Sequence, residues 1–494
     1  MKALRLCEIA LLSMLISSGI AVCQEPFAPG TWKPIVHPLP TTGGKPTAAG
    51  HAMLLTDGSV LVMASTCNAT GNWYRLVPDK TGSYLNGTWT GAGFLEGGYN
   101  PLYFASQVLP TGQVVIMGGE YNGCTAVWST LGSLYNPKSN KWAPLIAPAG
   151  WSTVGDAQSI VLPNGKMMLA NCCTAQEVIL TLTGGIASWA PTGTGKVDAN
   201  DEEGWTMLPG GKILTVNAYT SGGCCAKGFQ IYNPSTGAWT TPAGNTVVNL
   251  VDPSTSEIGP LSLLPNGTVF AGGGTTNNAI YNVSTGKWAK APGFGSKLDM
   301  ADAPAAVLPD GNLLLDTSPG FNQNGSVFFE WDGTALHRTS NPTNAPIDPS
   351  FVGEMVVLPT GQILFTAQSA SVEIYTPVGG PCSGCAPTIT SVASTLTHGS
   401  LNNAIHGTQF TGVTQGVYYG DDSQSFSNFP LVRITDSAQH VVYCRTHNWA
   451  PSVATGKTLV GAQFDVPSTI ALGAATLQVV VNGIPSKSVN VTID

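Results

Sequence analysis

Acidic side chains recur at one position of a repeated sequence pattern, in a chain where charged residues make up only 10% of the total. Seven copies of a short turn motif, such as LPTG at 109–112, end in glycine. The positions seven or nine residues before six of those glycines hold His51, Tyr103, Asp156, Glu202, Asp302 and Glu354. In the remaining copy Glu257 lies one residue further upstream. Carboxylates gathered around one opening create a negative potential that suits a hard cation such as calcium, or the hydroxyl groups of a polyhydroxylated ligand.

These acids also admit a plainer interpretation, because the beginnings of strands meet solvent and acids are harmless there. Trp205, close to Glu202, has the same two interpretations: it stacks on a sugar ring, or it packs in a hydrophobic core. If the acids and Trp205 bind a ligand, the predicted ligand-binding residues are Asp156, Glu202, Trp205, Asp302 and Glu354.

The turn motif predicts the architecture that positions these residues. Its glycines recur at intervals of 44 to 56 residues, at Gly58, Gly112, Gly165, Gly211, Gly267, Gly311 and Gly361. Proline presets the backbone of the turn, and the glycine supplies the left-handed conformation that closes a hairpin between two strands. A period near fifty with strand-like content is typical of a β-propeller of the kelch type. The chain is thus predicted to be all-β, with a seven-bladed propeller over residues 24–380.

A tryptophan-bearing outer strand follows most copies, as in YNPKSNKW at 135–142 and YNPSTGAW at 232–239. The seventh copy lacks this strand, because VEIYTPVGG ends at Gly380 without a tryptophan. A similar segment, PGTWKPI with Trp32, stands near the start of the chain. We therefore expect the N-terminal strand to complete the last blade and close the ring, which removes exposed strand edges.

The segments outside the propeller predict export and a second domain. Residues 1–23 carry Lys2 and Arg5 before an apolar stretch, which indicates a secretory signal peptide and a secreted or cell-surface protein. Acylation of Cys23 is the alternative. After a linker at 381–385, residues 386–494 alternate apolar and polar side chains, as in an immunoglobulin-like sandwich of the E-set or IPT kind. No later segment has the apolar length of a transmembrane span, and the net charge of −8 argues against nucleic acid as a partner.

Cysteines at equivalent places in the first four blades suggest disulfides. The cysteines concerned are Cys67, Cys124, Cys172, Cys173, Cys224 and Cys225, with Cys382 and Cys385 in the linker and Cys444 left free. Equivalent loops of adjacent blades are neighbours, so the first two cysteines, and the two doublets, are predicted to pair in an oxidising compartment. A zinc site formed by the doublets is the alternative. The CxxC of the linker is interpreted as a structural clip rather than a redox motif.

The whole layout resembles the galactose oxidase and glyoxal oxidase family. That resemblance implies one copper held by two tyrosines and two histidines, with one tyrosine cross-linked to a cysteine. Tyr103 stands where the cross-linked tyrosine is expected, and His447 lies on a C-terminal hairpin that the family uses to deliver a histidine. His51 and Glu354 stand where the family has other residues.

The predicted function is that of a secreted or cell-surface, non-catalytic propeller that binds a carbohydrate or protein ligand at the channel mouth or on the blade loops. The alternative is a divergent metal-dependent oxidoreductase, related to the galactose and glyoxal oxidases, with His51, Tyr103 and His447 as metal ligands beside Glu354. No cofactor is certain, and calcium and copper are the candidates. A structural adhesin is a third possibility. Common hydrolase, metalloprotease and phosphate-binding motifs are absent from the sequence.

Overall fold

The computed structural model describes residues 27–41, 44–65, 71–220, 223–295, 297–453 and 456–494. The predicted signal peptide, with Cys23, and the predicted disulfide partner Cys67 lie outside these ranges. The described chain is all-β, and its one helical element is the short 3-10 turn Ser350–Val352. Among the described residues there is no helix of the length and apolarity needed to cross a membrane.

Antiparallel four-stranded sheets, numbered here in chain order, follow one another along the first three quarters of the described chain. Sheet 1 consists of the strands Ala49–Leu54, Val60–Ala64, Asn72–Val77 and Thr88–Phe94. Sheet 2 consists of Ala105–Val108, Val114–Met117, Gly132–Asn136 and Lys141–Pro144. Sheet 3 consists of Ser159–Val161, Met167–Ala170, Glu177–Thr183 and Ile186–Thr192. Sheet 4 consists of the strands Thr206–Met207, Ile213–Val216, Phe229–Asn233 and Ala238–Thr240. Sheet 5 consists of Leu261–Leu263, Thr268–Ala271, Asn278–Asn282 and Lys287–Ala291. Sheet 6 consists of Ala305–Val307, Leu313–Thr317, Val327–Trp331 and Leu336–Arg338.

Sheet 7 combines strands from both ends of this region. Its strands are Glu354–Val357, Ile363–Thr366, Glu373–Thr376 and Thr31–Pro34. The N-terminal strand runs antiparallel to Glu373–Thr376 and places Trp32 opposite Tyr375. Two smaller pairings lie in loops, and their strands are Pro101–Leu102, Tyr121–Asn122 and Thr125–Ala126, and Tyr219–Thr220 with Gly223–Cys224.

The repeated turn motif forms the hairpin that its residues predict. In all seven copies the glycine has a φ between 77° and 95°. Its amide donates to the carbonyl of the leucine three residues earlier, at 2.8 to 3.0 Å. A β-branched residue at the glycine position would be strained, because L-residues rarely adopt this conformation. Each turn thereby joins the first and second strands of its sheet.

Packing between consecutive sheets uses the tryptophans of the outer strands. Trp142 donates its indole N–H to the carbonyl of Ala92 in sheet 1 at 2.9 Å, and Trp189 does the same to Ile146 beyond sheet 2 at 2.9 Å. Trp32 of sheet 7 donates to the carbonyl of Ser340, beyond sheet 6, at 2.8 Å. These bonds satisfy the polar end of a large apolar side chain and fix neighbouring sheets against each other.

The C-terminal region forms two further sheets that share one strand, Val441–His447. The other strands are Thr388–Val392, Thr395–Leu396, Asn403–Thr408, Leu431–Thr435, Val460–Asp465, Gly473–Val481, Ile484–Pro485 and Val489–Ile493. This region packs on the turn-motif side of the first seven sheets: the aromatic ring of Tyr443 lies against Gly58, and Arg445 donates to the carbonyl of Thr111 at 3.3 Å.

One segment of the C-terminal region, residues 412–427, enters the space between the inner strands and is called the strap here. Its strand Val417–Tyr418 pairs with Ala305–Val307 and adds a fifth strand to sheet 6. The strap also binds sheet 2, where Ser106 donates to the carbonyl of Gln424 at 2.9 Å, and sheet 4, where Gln415 accepts from the amide of Met207 at 2.7 Å. The strap thus ties several inner strands to the C-terminal region.

Candidate functional site

A cavity of about 450 Å³ lies where the inner strands begin, at the end of the sheets opposite to the turn motifs. Half of its lining residues are acids, namely Glu120, Asp156, Glu202, Glu257, Asp302, Asp421 and Asp422. Four more of the described lining residues are aromatic, namely Tyr103, Tyr121, Phe321 and Phe351, and the others are Leu102, Cys124 and Asn322. No lysine, arginine or histidine is among the described lining residues. The cavity is therefore concave, acidic and partly aromatic.

Five of the lining residues owe their position to the repeat. Tyr103, Asp156, Glu202, Glu257 and Asp302 each precede the first strand of their sheet by two to four residues. Equivalent positions of adjacent sheets are neighbours, so the side chains converge on one space. Tyr103, Glu202 and Asp302 also share a left-handed backbone, with φ values of 52°, 57° and 49°. Such conformations cost energy in residues other than glycine and are concentrated at functional sites.

The strap brings two further carboxylates to the cavity. Asp421 and Asp422 are 3% and 1% exposed. The amide of Asp422 donates to Asp421 Oδ1 at 2.7 Å, and the amide of Ser423 donates to the carbonyl of Phe104 at 3.0 Å. These bonds hold the acidic end of the strap against the beginning of sheet 2.

Burial and mutual repulsion raise the pKa values of the carboxylates in the cavity. Burial, the charge of Asp156 and that of Asp302 raise the pKa of Glu120 to about 7, against a hydrogen bond from Tyr121 that lowers it. The pKa of Asp302 is raised to about 6, chiefly by burial. Burial followed by neighbouring acids raises the pKa of Asp421 and Asp422 well above the usual range. A charged form of the cavity is therefore costly unless a positive group enters it.

Three of these acids come close enough together to share one ion. One carboxylate oxygen from each of Glu202, Glu257 and Asp302 lies within 4.8 Å of the others. Oε2 of Glu257 and Oδ1 of Asp302 are buried and accept no hydrogen bond from a backbone amide or a neutral side chain. Glu257 is close enough to share a proton with Glu202 or Asp302. Oxygen ligands on three separate loops are the arrangement that a hard cation requires.

The structure brings together three of the five predicted ligand-binding residues. Asp156, Glu202 and Asp302 line the cavity. Glu354 does not, because its carboxylate faces His51 Nδ1 at 3.2 Å. Trp205 does not either: it is 2% exposed and packs against Trp239 with ring centroids 5.9 Å apart, so its ring face is occupied by core rather than open to a ligand.

The residues of the predicted alternative metal site are not gathered in one place. Tyr103 lines the cavity and its hydroxyl accepts from Nε2 of Gln368 at 3.0 Å. His51 pairs with Glu354 outside the lining. His447 is not delivered to the cavity, because Nε2 of its ring lies 3.1 Å from Oδ1 of Asp465 within the C-terminal region. The strap, and not the hairpin that carries His447, is the segment that reaches the channel.

The cysteine doublets differ from the predicted pairing. Cys224 is bonded to Cys225, and Cys172 and Cys173 are free thiols. The two doublets turn toward different neighbours: both thiols of the first lie 3.7 Å from Oδ1 of Asp201, whereas Cys224 contacts the carbonyl of Asp252. Because Cys224 and Cys225 are bonded to each other in a disulfide, the four cysteines of the doublets do not form a zinc site.

The remaining cysteines have simpler places. Cys382 and Cys385 form a disulfide, Cys444 is free and buried, and Cys124 is disulfide-bonded. The amide of Cys382 donates to the carbonyl of Pro309, at the sixth turn motif, at 2.7 Å. The short Cys382–Cys385 loop therefore lies where the chain leaves sheet 7 for the C-terminal region.

The residues present do not fit the copper centre that the family resemblance implies. Copper(II) favours imidazole nitrogen in a tetragonal arrangement, and the described lining offers carboxylate and phenol oxygens. Cys124 lines the cavity, but its sulfur is in a disulfide and is not free to cross-link to Tyr103. The donor set is that of a hard cation.

Several residues of the site were missed by the sequence analysis. Asp421 and Asp422 carry the clearest signal, because adjacent acids in GVYYGDDSQSF stand between apolar and small residues in a chain with few charges. Glu120 and Phe351 carry none, since Glu120 belongs to a loop and Phe351 to the 3-10 turn Ser350–Val352, and the positions of both segments depend on the neighbouring sheets.

Comparison with known proteins shows the fold. No family model and no curated protein matches the chain. A solved structure of a fungal alcohol oxidase of the AA5 family, in complex with copper, is 14% identical, with 94% of this chain and 100% of that chain covered and a TM-score of 0.51. A streptogramin B lyase is 8% identical over 71% of this chain and 98% of its own, with a TM-score of 0.47. The extracellular domain of a hybrid two component system from B. thetaiotaomicron is 11% identical over 94% of this chain and 59% of its own, with a TM-score of 0.47. The likeness to the alcohol oxidase, which spans nearly the whole of both chains, shows that this chain has a β-propeller fold.

Proposed function

We propose that this chain is an exported, non-catalytic binding module whose acidic cavity takes a carbohydrate ligand. In this proposal residues 1–23 are a signal peptide, 24–380 are a seven-bladed kelch-type propeller closed by its N-terminal strand, and 381–385 are a linker. Residues 386–494 are an immunoglobulin-like sandwich. The pairing of Trp32 with Tyr375 supports the closure, and the disulfides Cys224–Cys225 and Cys382–Cys385 support an oxidising compartment.

The observation that carries the function is the composition of the cavity wall. Carboxylates accept hydrogen bonds from sugar hydroxyls, and aromatic faces pack against the apolar faces of sugar rings. Asp156 and Glu202 supply acceptors, while the rings of Phe321 and Phe351, whose centroids lie 5.2 Å apart, supply an apolar wall. The volume of about 450 Å³ admits a ligand of one to a few sugar rings.

A glycan array with matched variants tests this function. We expect the wild-type chain to bind a restricted set of glycans, and Asp156→Asn and Phe351→Ala each to weaken that binding by about tenfold or more. Glu354→Gln is the control, because Glu354 is a buried acid near the start of the first strand of its sheet but lies outside the cavity lining. Binding of a protein segment instead of any glycan would replace the carbohydrate ligand by a protein ligand. Equal losses in Asp156→Asn and Glu354→Gln would contradict the proposed site.

The second candidate is a divergent metal-dependent oxidoreductase. The position of Tyr103 in the same cavity as Glu202, Glu257 and Asp302 favours it. Metal analysis of the protein, together with assays of peroxide release on sugars and aldehydes, separates the two functions. Turnover that depends on a stoichiometric metal and is lost in Tyr103→Phe would overturn the non-catalytic function.

A further inference from the structure

We propose that Glu202, Glu257 and Asp302 bind one calcium ion, with Asp421 and Asp422 of the strap completing the negative surround. This site goes beyond the proposed function, since it holds whether or not a carbohydrate binds. It also differs from the copper centre of the resembling family, because its donors are all carboxylates.

The first line of argument is the convergence of the three carboxylates. Glu202, Glu257 and Asp302 precede the inner strands of three successive sheets, and one oxygen of each lies within 4.8 Å of the others. Glu257 is 6% exposed, and the partners within reach of its carboxylate are the two other acids, Glu202 and Asp302. Three buried carboxylates at this separation repel one another strongly unless protons or a cation lie between them.

The second line of argument comes from a residue outside this group. Asp422 is 1% exposed and lines the same cavity, yet its Oδ2 has no hydrogen-bond partner. It comes from the strap, which belongs to a different part of the chain from the three inner-strand acids. Native proteins satisfy nearly all buried polar atoms, so an orphaned carboxylate oxygen in the wall of a cavity requires a partner, and a cation is a partner that also offsets its charge.

The chemistry of the donors selects the ion. Zinc prefers sulfur and nitrogen ligands, and the described lining offers neither as a free group. Magnesium demands near-ideal octahedral geometry, which acids on three separate loops do not readily provide. Calcium accepts six to eight oxygens in irregular geometry, and waters or ligand hydroxyls complete its shell in a cavity of about 450 Å³.

Calcium titration of the chelator-stripped, full mature chain at pH 7.5 tests the site. We expect one ion per chain, with a dissociation constant on the order of 10⁻⁴ M or tighter. Glu257→Gln should weaken calcium binding by at least about tenfold while the calcium-free melting temperature stays the same or rises, because an amide does not repel its acidic neighbours. Glu354→Gln is the matched control and should weaken calcium binding clearly less than Glu257→Gln does, because Glu354 pairs with His51 outside the cavity lining and only its charge reaches Asp422.

The melting temperature without calcium distinguishes loss of a ligand from loss of folding. A Glu257→Gln protein that melts lower than the wild type without calcium would show that Glu257 has a structural partner, and would overturn the assignment. Absence of saturable calcium binding, equal losses in Glu257→Gln and Glu354→Gln, or tighter binding of magnesium than of calcium would overturn it as well. Failure of the glycan array alone leaves these measurements unaffected.

Discussion

Glu202 and Glu203 are adjacent in the chain, yet they belong to two buried acidic clusters whose negative charge is balanced in different ways. Glu203 faces Lys196 at 2.7 Å, and Lys196 also pairs with Asp198; these three residues are called the lysine cluster. Glu202 belongs to the cavity cluster, which consists of Glu120, Asp156, Glu202, Glu257, Asp302, Asp421 and Asp422. The chain supplies its own cation, Lys196, to the first cluster, whereas no cationic residue is among the described residues that line the second.

The charge state of Lys196 shows how the lysine cluster is balanced. Burial lowers the pKa of Lys196, but the charges of Glu203 and Asp198 outweigh burial and leave the pKa raised. Asp198 also accepts from Asn217 Nδ2 at 2.6 Å. A buried carboxylate is tolerated when a cation and hydrogen bonds replace its water. The cavity cluster has some hydrogen bonds but no cation among its described lining residues, and it is open to a cation from outside, which is the physical reason for assigning it a ligand.

Removal of the internal cation gives the largest expected effect. In Lys196→Met, Glu203 and Asp198 remain buried without a positive partner, and we expect a loss of about 3 to 5 kcal/mol in the free energy of unfolding. Tryptophan fluorescence during urea unfolding measures it, since Trp239 and Trp205 pack in the adjacent core. Calcium should not restore the loss, because Glu203 is 0% exposed and does not line the cavity.

Lys212→Met is the control for this change. Lys212 is exposed on the hairpin turn of sheet 4, and its replacement should alter the free energy of unfolding by less than about 0.5 kcal/mol. Similar losses in the two variants, or full rescue of Lys196→Met by calcium, would remove the distinction between the clusters.

A cationic side chain introduced into the cavity should balance the charge of its acids, as Lys196 does in the lysine cluster. Tyr121 lines the cavity beside Glu120, so Tyr121→Lys places an ammonium group next to the acids. We expect the calcium-free protein to gain about 1 kcal/mol in stability and its stabilisation by calcium to fall several-fold. Thermal melts with and without calcium measure both effects.

Tyr121→Gln separates the charge from the loss of the ring. The glutamine variant removes the aromatic ring without adding charge, and it should show no gain in calcium-free stability. If glutamine and lysine stabilise the protein equally, repulsion among the acids is not what limits the stability of the cavity.

The repeat made much of the fold predictable from sequence. The turn glycines need a positive φ, and the leucine and glycine of each motif, with proline in six of the seven copies, stand at fixed positions in a local hairpin, so short-range chemistry determines them. The same regular spacing predicted that Asp156, Glu202 and Asp302 would converge. It also placed Glu354 in that set, because spacing gives the level of a residue in its sheet and not whether a partner such as His51 turns it aside.

The strap could not be predicted in this way. Its hydrogen bonds join it to residues hundreds of positions away, such as Ser106 with Gln424, and no local pattern encodes such pairings. The strap is therefore the part of the site where tertiary structure adds information, and it contributes Asp421 and Asp422. The pairing within the Cys224–Cys225 doublet is similar, since it depends on which way each loop turns.

A pH series gives the smallest expected effect and tests whether the cavity cluster lacks a cation at rest. Burial, Asp156 and Asp302 raise the pKa of Glu120 from 4.5 to about 7 in the folded chain, with Tyr121 opposing them through a hydrogen bond. Because the folded pKa is above the unfolded one, the stability linked to protonated Glu120 is fully present below pH 4.5 and is lost as the pH rises through about 7. Glu120→Gln cannot lose this proton, so without calcium it should match the wild type near pH 4 and melt about 2 °C higher near pH 8, a small difference because Glu120 is partly solvated.

The other acids of the cluster still titrate, so both proteins lose stability with rising pH and the difference between their curves is the measured quantity. The exposed Glu96→Gln variant should follow the wild-type curve. Parallel curves for Glu120→Gln and the wild type from pH 4 to pH 8 would mean that a positive group already faces Glu120, and the contrast with the lysine cluster would then disappear.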